Sequence, residues 1–373
     1  MRLIPGAAAF LPYVVAALVA SAVVAYLLTP VVRRLAVRYG VIDRPNQRRV
    51  NLDPVPRGGG IAIVCAFVLV AGGFILLDQG GRLVPLPTFV GTREIAALLA
   101  GGILAALIGA LDDWFDLRTR WQLLGQVGVA LVAVALGISV GFVSNPFGTT
   151  NIVFGEAFAR IFAVVWIVGM INSINFIDGL DGLSSGIGLI AAVALGLISL
   201  STQVGQPFVA VLCFALAGAL AGFLRWNFHP ATIFPGTTGV MFLGYTLAIL
   251  SILGTAKVAV ALLVLGVPII DTFWTMVRRV ATGRSPFTPD RGHLHHRLLD
   301  LGLSHRQTVL LIYGICGALA LMTFVLSPQR QLYAFLGLGL AAGLLLFAMT
   351  RGEFAEEALE AESYEQDWEP PRV

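Results

Sequence analysis

Long apolar runs separated by short polar connections occupy most of this chain. Eleven can be marked, at 10–32, 59–78, 93–111, 121–142, 158–174, 183–202, 207–224, 236–254, 256–277, 307–327 and 331–350. Each is close to the roughly 20 residues that an α-helix needs to cross a bilayer. Only helices and closed barrels satisfy their backbone in lipid, and these runs do not show the period-2 alternation of barrel strands. The sequence therefore predicts an all-α, polytopic membrane protein with about eleven transmembrane helices.

Charged residues are scarce in this chain. Only 12% of its 373 residues are charged and 57% are apolar, whereas soluble domains have roughly 25% charged and 45–50% apolar residues. This composition excludes a soluble cytosolic enzyme and a disordered chain. The 24 basic residues nearly balance the 21 acidic ones, so we expect no nucleic-acid partner. We expect one domain embedded in the lipid bilayer over residues 1–350 and a disordered acidic tail over 351–373.

The basic residues are divided unevenly between the two ends of the predicted spans. With eleven spans, 18 of the 24 Lys and Arg residues fall on one side of the membrane and 6 on the other. Basic residues collect on the cytoplasmic side of membrane proteins. The distribution therefore predicts an N-terminus outside and a C-terminus in the cytoplasm.

The polar clusters fall mainly on the same, cytoplasmic side. They lie at 43–60, 112–120, 172–183, 225–239 and 283–306. A transporter places ionisable residues near the middle of its spans, but the predicted spans are almost free of charge. The distribution favours chemistry at the membrane surface, between one lipid-soluble and one water-soluble substrate. A transporter or flippase is the less favoured alternative.

Three carboxylates close the third predicted span, at Asp112, Asp113 and Asp116. In a continuous helix, residues four apart lie on one face, which would align Asp112 with Asp116. Adjacent carboxylates repel one another, and a divalent cation or an arginine would relieve the repulsion. Because Mg²⁺ binds a few carboxylates together with substrate phosphates, the pattern is compatible with diphosphate chemistry. A solvated helix end is the alternative interpretation.

Polar residues recur every three positions at the end of the fifth predicted span. They are Asn172, Asn175, Asp178 and Asp181. This spacing keeps the side chains near one stripe of a helix end, and the intervening glycines let the backbone turn closely around a ligand. Four polar groups leaving a hydrocarbon span together favour a binding site over an ordinary helix cap.

The last cytoplasmic loop contains His293, His295 and His296 beside Arg291. Histidines flanked by arginines suit phosphate contacts. A zinc site is a weaker interpretation because the HxHH pattern has no partner motif at metal-ligand spacing. A purely structural loop is the third interpretation.

In these motifs the chain resembles the polyprenyl-phosphate N-acetylhexosamine-1-phosphate transferases of bacterial membranes. The resemblance covers residues from about 10 to 350, and it rests on DDxxD at 112–116, NxxNxxDGxDGL at 172–183 and the histidine loop at 293–296. The wording SPFTPDRGHLHHRLL is similar to the branch that uses UDP-N-acetylglucosamine. The resemblance implies a multi-pass protein of the bacterial cell membrane with its active site facing the cytoplasm.

The resemblance also implies a reaction and a set of site residues. N-acetylglucosamine 1-phosphate would pass from UDP-N-acetylglucosamine to undecaprenyl phosphate with release of UMP, as the first lipid-linked step of a cell-envelope glycopolymer. Mg²⁺ is the implied cofactor, with Mn²⁺ as an alternative, and a homodimer is left open. The implied catalytic residues are Asp112, Asp113 and Asp178, and the implied metal ligands are Asn175 and Asp178. The implied substrate-binding residues are Asp116, Asn172, Asp181, Asn227, Phe234, Arg291, His293, His295 and His296.

The chain departs from the family pattern near this site. Thr237 stands where the resemblance places a metal-binding aspartate, and Gln122 stands where family members often carry lysine. A threonine hydroxyl is a neutral dipole and a weak ligand for Mg²⁺. The alternative function is therefore a catalytically weakened relative that binds polyprenyl phosphate or nucleotide sugar without efficient transfer.

Overall fold

Helices make up most of the described structure. The computed structural model describes residues 3–43, 54–78, 81–88, 90–143, 145, 148, 150–202, 204–254, 257–281, 292–327 and 329–344. The helices are α1 (Leu11–Arg38), α2 (Gly60–Asp78), α3 (Thr92–Phe115), α4 (Thr119–Ala135), α5 (Glu156–Ile177), α6 (Leu183–Ser199), α7 (Pro207–Asn227), α8 (Gly236–Ile252), α9 (Lys257–Val264), α10 (Gly266–Ala281), α11 (Leu294–Asp300) and α12 (His305–Val325). A short 3-10 helix, Ala7–Ala9, precedes α1, and residues 329–344 are also helical. The predicted all-α class is confirmed.

Every predicted apolar run overlaps a helix, and the ninth run overlaps both α9 and α10, which meet at a bend of 76°. Among the described residues, six helices are long and apolar enough to cross a bilayer, or seven if the bent pair is one span. The α6 and α8 helices are apolar but have only 17 residues each. The chain is thus a polytopic membrane protein, while the count of eleven spans and the orientation stay predictions. The predicted tail, 351–373, lies outside the described residues.

The α7 helix forms the centre of the bundle, whereas α1 lies at its edge. Nearly every side chain of α7 is buried, and the helix packs along α1 and α6. In α1 the residues Val15, Val19, Val23 and Leu27 form an exposed apolar stripe with a spacing of four. Residues four apart share one face of a helix, so this stripe is the lipid-facing side of α1.

The α3 and α8 helices approach closely where α3 ends and α8 begins. A Cβ on Gly109 would lie 2.5 Å from the carbonyl oxygen of Thr237, so a larger residue would push the helices apart. Gly236 opens α8 with a φ of +68°, a left-handed conformation that glycine adopts without strain. These two glycines bring the N-terminus of α8 against the last turn of α3.

Two short antiparallel strand pairs accompany the helices. The first joins β1 (Ile42–Asp43) to β2 (Val55–Pro56), and the second joins β3 (Phe142–Val143) to β4 (Ile152–Val153). The first pair lies between α1 and α2 and carries Asp43 to within ion-pair distance of Arg57. It therefore contributes one wall of the polar cavity described next.

Candidate active site

A polar cavity of about 300 Å³ lies where the ends of α3, α5 and α7 meet the start of α8. Its wall comes from segments that are far apart in sequence. The lining residues are Asp43, Arg57, Asp113, Asn175, Asp178, Gly179, Leu180, Asp181, Asn227, Phe234, Pro235, Gly236, Thr237, Val240 and His296. The fold therefore brings seven of the predicted site residues into one cavity.

The Asp113 carboxylate lies against the N-terminus of α8. Its Oδ1 accepts a hydrogen bond from the backbone N–H of Thr237 (2.8 Å), and its Oδ2 accepts from the backbone N–H (3.0 Å) and the hydroxyl (2.6 Å) of Thr238. The first N–H groups of a helix have no partner within the helix, and the helix dipole favours an anion there. Asp113 is only 7% exposed, so it holds α8 in place as well as lining the cavity.

The neighbouring Asp112 is held by neutral donors from three directions. Its Oδ1 accepts hydrogen bonds from the side-chain amide of Gln122 (2.7 Å) and the backbone N–H of Leu117 (3.0 Å). Its Oδ2 accepts from the hydroxyl of Thr237 (2.6 Å). Asp112 is 5% exposed and is not among the lining residues. The predicted pair of carboxylates is therefore split between the cavity wall and a position behind it.

Asp116 does not share a helix face with Asp112. The α3 helix ends at Phe115, and Asp116 has a left-handed backbone with a φ of +47°. Its side chain is 80% exposed and pairs with Arg57, with 3.2 Å between Oδ1 and Nη1. The predicted alignment of Asp112 and Asp116 is therefore wrong, because the helix ends before the fourth residue is reached.

Arg57 adds a cation to the cavity wall. Its Nε lies 3.1 Å from Oδ1 of Asp43, and it also pairs with Asp116 at the surface. Arg57 and Asp113 line the same cavity. Because a guanidinium presents a fork of donors to phosphate oxygens, Arg57 offers a phosphate contact that the sequence motifs do not single out.

The polar stripe at the end of α5 divides between two faces. Asn172 donates from Nδ2 to Oε1 of Gln126 (2.6 Å), so this amide joins α5 to α4. Asn175 and Asp178 line the cavity, and Asp178 accepts a hydrogen bond from the Ser184 hydroxyl. With Asp181, which also lines the cavity, the stripe predicted from spacing therefore supplies three cavity residues and one contact between helices.

Asp181 anchors the turn between α5 and α6. Its Oδ2 accepts hydrogen bonds from Nδ1 of His229 (2.7 Å) and the backbone N–H of Ala231 (3.0 Å), while its own N–H donates to Nε2 of His305 (2.9 Å). The two imidazole rings stack with their centroids 4.1 Å apart. Ligand-type atoms of Asp181, His229 and His305 lie within 4.8 Å of one another, but they are engaged in these hydrogen bonds. We interpret the group as a network that fixes the cavity-lining turn.

Asn227 and Phe234 flank the connection between α7 and α8. The Asn227 side chain accepts a hydrogen bond from the Ser185 hydroxyl (2.9 Å) and donates to the carbonyl of Ile233 (3.1 Å). The backbone N–H of Phe234 donates to the carbonyl of Pro56 (2.9 Å). Both residues line the cavity, in agreement with their predicted place in a binding site.

The three histidines of the last loop are buried around the start of α11. His293 is the residue before this helix, and His296 lines the cavity. His295 lies over the turn after α5, since a Cβ on Gly179 would be 2.1 Å from its Nε2. The histidine motif and the α5 motif therefore meet in space. Arg291 lies outside the described residues.

The His295 ring is buried. It is 1% exposed, and neither ring nitrogen has a hydrogen-bond partner among the described residues. Burial, followed by the neighbouring His296 and His293, lowers the pKa of His295 well below its usual value of 6.5. At neutral pH the ring is therefore uncharged, with one nitrogen able to donate and the other to accept.

Asp271 supports the histidine motif from α10, and sequence interpretation missed it. Its Oδ2 lies 2.8 Å from Nδ1 of His293, and its Oδ1 accepts a hydrogen bond from the backbone N–H of Leu294 (2.8 Å). A signal for it was present, because an ionisable residue inside a predicted span marks a function by default. This carboxylate is an exception to the low charge of the predicted spans.

Three further polar residues that no site prediction included are Gln122, His229 and His305. Each contacts a predicted carboxylate or its backbone, as described above. They come from α4, the α7–α8 connection and α12. The sequence marks Gln122 only as a departure from the family pattern, and single histidines near span ends have no distinctive spacing that selects His229 or His305.

Oxygen donors for a divalent cation lie in the cavity wall at Asn175 and Asp178. Mg²⁺ usually binds one or two carboxylates together with water and substrate phosphates. Position 237 is a threonine, so it adds no carboxylate to the cavity, and its hydroxyl donates a hydrogen bond to Asp112. The residues fit a magnesium ion shared with a substrate phosphate better than one enclosed by protein ligands alone.

The fold and the site define a polytopic membrane protein with a carboxylate- and histidine-lined cavity, and residues 95–255 match glycosyl transferase family 4. A probable undecaprenyl-phosphate N-acetylglucosaminyl 1-phosphate transferase of Bacillus subtilis (strain 168) is 37% identical over 320 residues, covering 84% of this chain and 85% of the relative. A decaprenyl-phosphate N-acetylglucosaminephosphotransferase of Mycobacterium tuberculosis (strain ATCC 25618 / H37Rv) is 34% identical over 364 residues, covering 89% and 88%. An undecaprenyl-phosphate alpha-N-acetylglucosaminyl 1-phosphate transferase of Yersinia pestis is 30% identical over 304 residues, covering 78% of each. The chain belongs to glycosyl transferase family 4 and is a membrane-bound transferase, which confirms the resemblance drawn from its motifs.

Proposed function

We propose that this protein transfers N-acetylglucosamine 1-phosphate from UDP-N-acetylglucosamine to undecaprenyl phosphate and releases UMP. The observation that carries the proposal is the cavity shared by Asp113, Asn175, Asp178 and His296 at the ends of apolar helices. The relatives' names support a polyprenyl phosphate acceptor and an N-acetylglucosamine donor. The product would be the first lipid-linked intermediate of a cell-envelope glycopolymer, formed at the cytoplasmic face of a bacterial membrane.

The proposed chemistry needs little base catalysis. The second pKa of a phosphate monoester is about 6, so the acceptor phosphate is mostly dianionic near pH 7. One of its oxygens forms a bond to the phosphorus that carries the sugar, and the bond from that phosphorus to UMP breaks with the electron pair leaving on UMP. Bringing two anions together is the harder task, and it requires donors and cations fixed around the reacting groups. Arg57 and His296 in the cavity wall are suited to this role.

The hydrogen bonds of Asp112 and Asp113 support a positioning role for both carboxylates. Each accepts three hydrogen bonds from protein groups. These contacts fix the orientation of both carboxylates and occupy all four of their oxygens. We therefore assign them to the placement of α8 and of the acceptor phosphate, and not to covalent catalysis.

Asn175 and Asp178 are the residues that would hold Mg²⁺, or Mn²⁺ in its place. When bound, the ion supplies Lewis-acid stabilisation of charge on phosphoryl oxygens. The chain's own contribution is to keep both oxygen donors at the cavity, with Asp178 oriented by the Ser184 hydroxyl. Asn175 lies within the last turn of α5 and Asp178 directly follows it.

The nucleotide would lie against Asp181, Asn227 and Phe234, with the ring of Phe234 stacking on uracil. His293, His295 and His296 would donate to the diphosphate, and Arg291 stays a proposed phosphate contact outside the described residues. Asn172 faces α4 and Asp116 is exposed. We therefore propose that these two residues act on the substrate indirectly, through Gln126 and Arg57.

A second candidate function follows from Thr237. Its hydroxyl occupies an oxygen of Asp112, where the family resemblance places a metal-binding carboxylate. A member of this kind would bind nucleotide sugar or polyprenyl phosphate with little transfer. Both candidate functions include substrate binding, but only the first includes efficient transfer of the sugar phosphate.

The test is a transfer assay with the full chain purified in detergent. Undecaprenyl phosphate, Mg²⁺ and UDP-N-acetylglucosamine labelled in the sugar are expected to yield labelled diphospholipid and an equal amount of UMP. Asp178→Asn should lower turnover at least about 100-fold, the scale of one well-placed charged group. If calorimetry shows that UDP-N-acetylglucosamine binds but the assay forms no labelled lipid, the second candidate is favoured. Preference for UDP-N-acetylmuramoyl-pentapeptide in direct competition would overturn the assigned donor.

A further inference from the structure

We propose that Gln122 and Thr237 are positioning residues that are coupled through Asp112. The charge that the protein tolerates at one of the two positions depends on the charge at the other. In this proposal the three side chains together carry one negative charge, and a second carboxylate at position 237 is tolerated only with a cation at position 122. The inference rests on the proposed function for its activity readout. It concerns how the described residues hold the buried Asp112 carboxylate with neutral donors.

The geometry of Asp112 carries the proposal. Gln122 of α4 donates to Oδ1 at 2.7 Å, and Thr237 of α8 donates to Oδ2 at 2.6 Å. The two neutral donors therefore contact opposite oxygens of one buried carboxylate. A charged side chain at one of the two positions would shift or polarise the Asp112 carboxylate, and this would change the hydrogen bond at its other oxygen.

A carboxylate at position 237 would lie beside two buried carboxylates. The Thr237 hydroxyl contacts Asp112, and the Thr237 backbone N–H is already used by Asp113. Arg57, a cation in the cavity wall, is paired with two other carboxylates. With Thr237→Asp alone, three carboxylates would meet at the edge of the cavity, and their repulsion would favour the protonation or movement of one.

A lysine at position 122 would resolve that conflict. Its ammonium would reach the same Oδ1 of Asp112 that the Gln122 amide contacts, and its charge would balance the new carboxylate. A buried charge without a partner destabilises a protein strongly, whereas a complete pair does so far less. The side chains at positions 112, 122 and 237 thus have the same net charge in the wild type and in the double variant. The wild type has an amide and a hydroxyl beside Asp112, and the double variant has an ammonium and a carboxylate.

The test compares wild type with Gln122→Lys, Thr237→Asp and the double variant. Thr237→Asp should lower kcat about 30-fold with little change in the KM for UDP-N-acetylglucosamine, and Gln122→Lys should lower it about 10-fold. The double variant should return to within about 3-fold of wild type. Independent effects would multiply to about 300-fold, so the expected coupling is about 100-fold, or about 2.8 kcal/mol. Unfolding temperatures should follow the same order.

Two controls separate a coupled charge from a general one. Thr119→Lys adds a positive charge at an exposed position at the start of α4, and it should not rescue Thr237→Asp. Thr237→Ser keeps the hydroxyl donor and should stay within about 3-fold of wild type. Thr237→Val removes the donor and should lower kcat about 10-fold.

Three results would overturn the proposal. One is a multiplicative loss in the double variant, and another is equal rescue by Thr119→Lys. The third is full activity of Thr237→Asp with a lower Mg²⁺ requirement, which would place position 237 at the metal. If wild type shows no transfer at all, the proposed function fails, and the coupling is then decided by whether Gln122→Lys restores the unfolding temperature of Thr237→Asp.

Discussion

Two buried polar groups border the cavity, and their hydrogen bonding differs. At the end of α3, every carboxylate oxygen of Asp112 and Asp113 accepts a hydrogen bond from protein donors. Beside α11, His293 is paired with Asp271, but within the part of the chain that the structure describes neither ring nitrogen of His295 has a hydrogen-bond partner. Burial of a polar group without a partner costs about 1–3 kcal/mol.

The two groups therefore have different roles. The carboxylates are hydrogen-bonded within the fold, and these hydrogen bonds stabilise the packing of α3 against α8. The His295 ring has no hydrogen-bond partner among the described residues, so a ligand group that supplies a donor or an acceptor to it would gain from binding there. A pre-organised group can fix one substrate, while a ring with unused hydrogen-bonding capacity can receive another.

The largest expected effect is at the satisfied group. Asp113→Asn should lower turnover at least about 100-fold, since the amide removes an anion from the α8 N-terminus and places an N–H against N–H groups. Turnover in the labelled-sugar assay measures this loss, and the unfolding temperature should fall with it. Near-normal transfer by Asp113→Asn would show that the carboxylate charge is dispensable.

The support of the histidine group should show a smaller effect. Asp271→Asn keeps the shape of the side chain but removes the charge that orients His293, and we expect turnover to fall about 10- to 30-fold. Asp271→Glu, which keeps the charge, should recover part of the loss. Equal activity of Asp271→Asn and wild type would mean that His293 does not depend on this carboxylate.

The pH dependence of stability tests the burial of His295. Unfolded His295 takes up a proton as the pH falls through about 6.5, but burial prevents this in the folded protein. Its contribution to stability is therefore complete above pH 6.5 and is lost below it, by up to about 1.4 kcal/mol per pH unit. Denaturation at pH 7.5 and 5.5 should show a flatter profile for His295→Asn than for wild type, and identical profiles would contradict the assignment.

The smallest expected effect comes from a single donor to Asp113. Thr238→Val removes the 2.6 Å hydroxyl contact but leaves both backbone N–H contacts of α8. We expect a loss of about 1–2 kcal/mol in the free energy of unfolding and less than about 3-fold in turnover. A loss as large as that of Asp113→Asn would show that the hydroxyl, and not the helix N-terminus, holds the carboxylate.

The sequence predicted the helices and seven of the fifteen residues that line the cavity, because apolar runs and polar span ends have a clear signal. The apolar runs mark the helices, and the polar residues at the ends of the third and fifth runs converge on the cavity, with Asp113, Asn175 and Asp178 in its wall. These patterns are local in sequence, and a cluster of polar residues at the end of an apolar span has few roles other than binding or catalysis.

Predictions that depended on a helix continuing, or on which neighbour a side chain meets, could not be made from one sequence. Asp116 leaves the helical face because α3 ends at Phe115. Asn172 turns to Gln126 because α4 packs beside α5. Asp271 stands out in the sequence as an ionisable residue inside a predicted span, but its partner His293 lies 22 positions later, so only the folded chain reveals that contact.

The cavity wall begins at Asp43 and ends at His296, which has a consequence for how the protein is made. Chains emerge from the ribosome N-terminus first, and their early segments enter the membrane before the later ones exist. The α3 carboxylates are thus inserted long before α8 arrives to satisfy them. A nascent chain stalled before α8 would lack the donors of Thr237 and Thr238, so Asp113 would be without its three described hydrogen bonds and Asp112 without one of its three. A chain stalled before α11 would lack a wall of the site. Completion of the site is therefore a late event in biosynthesis.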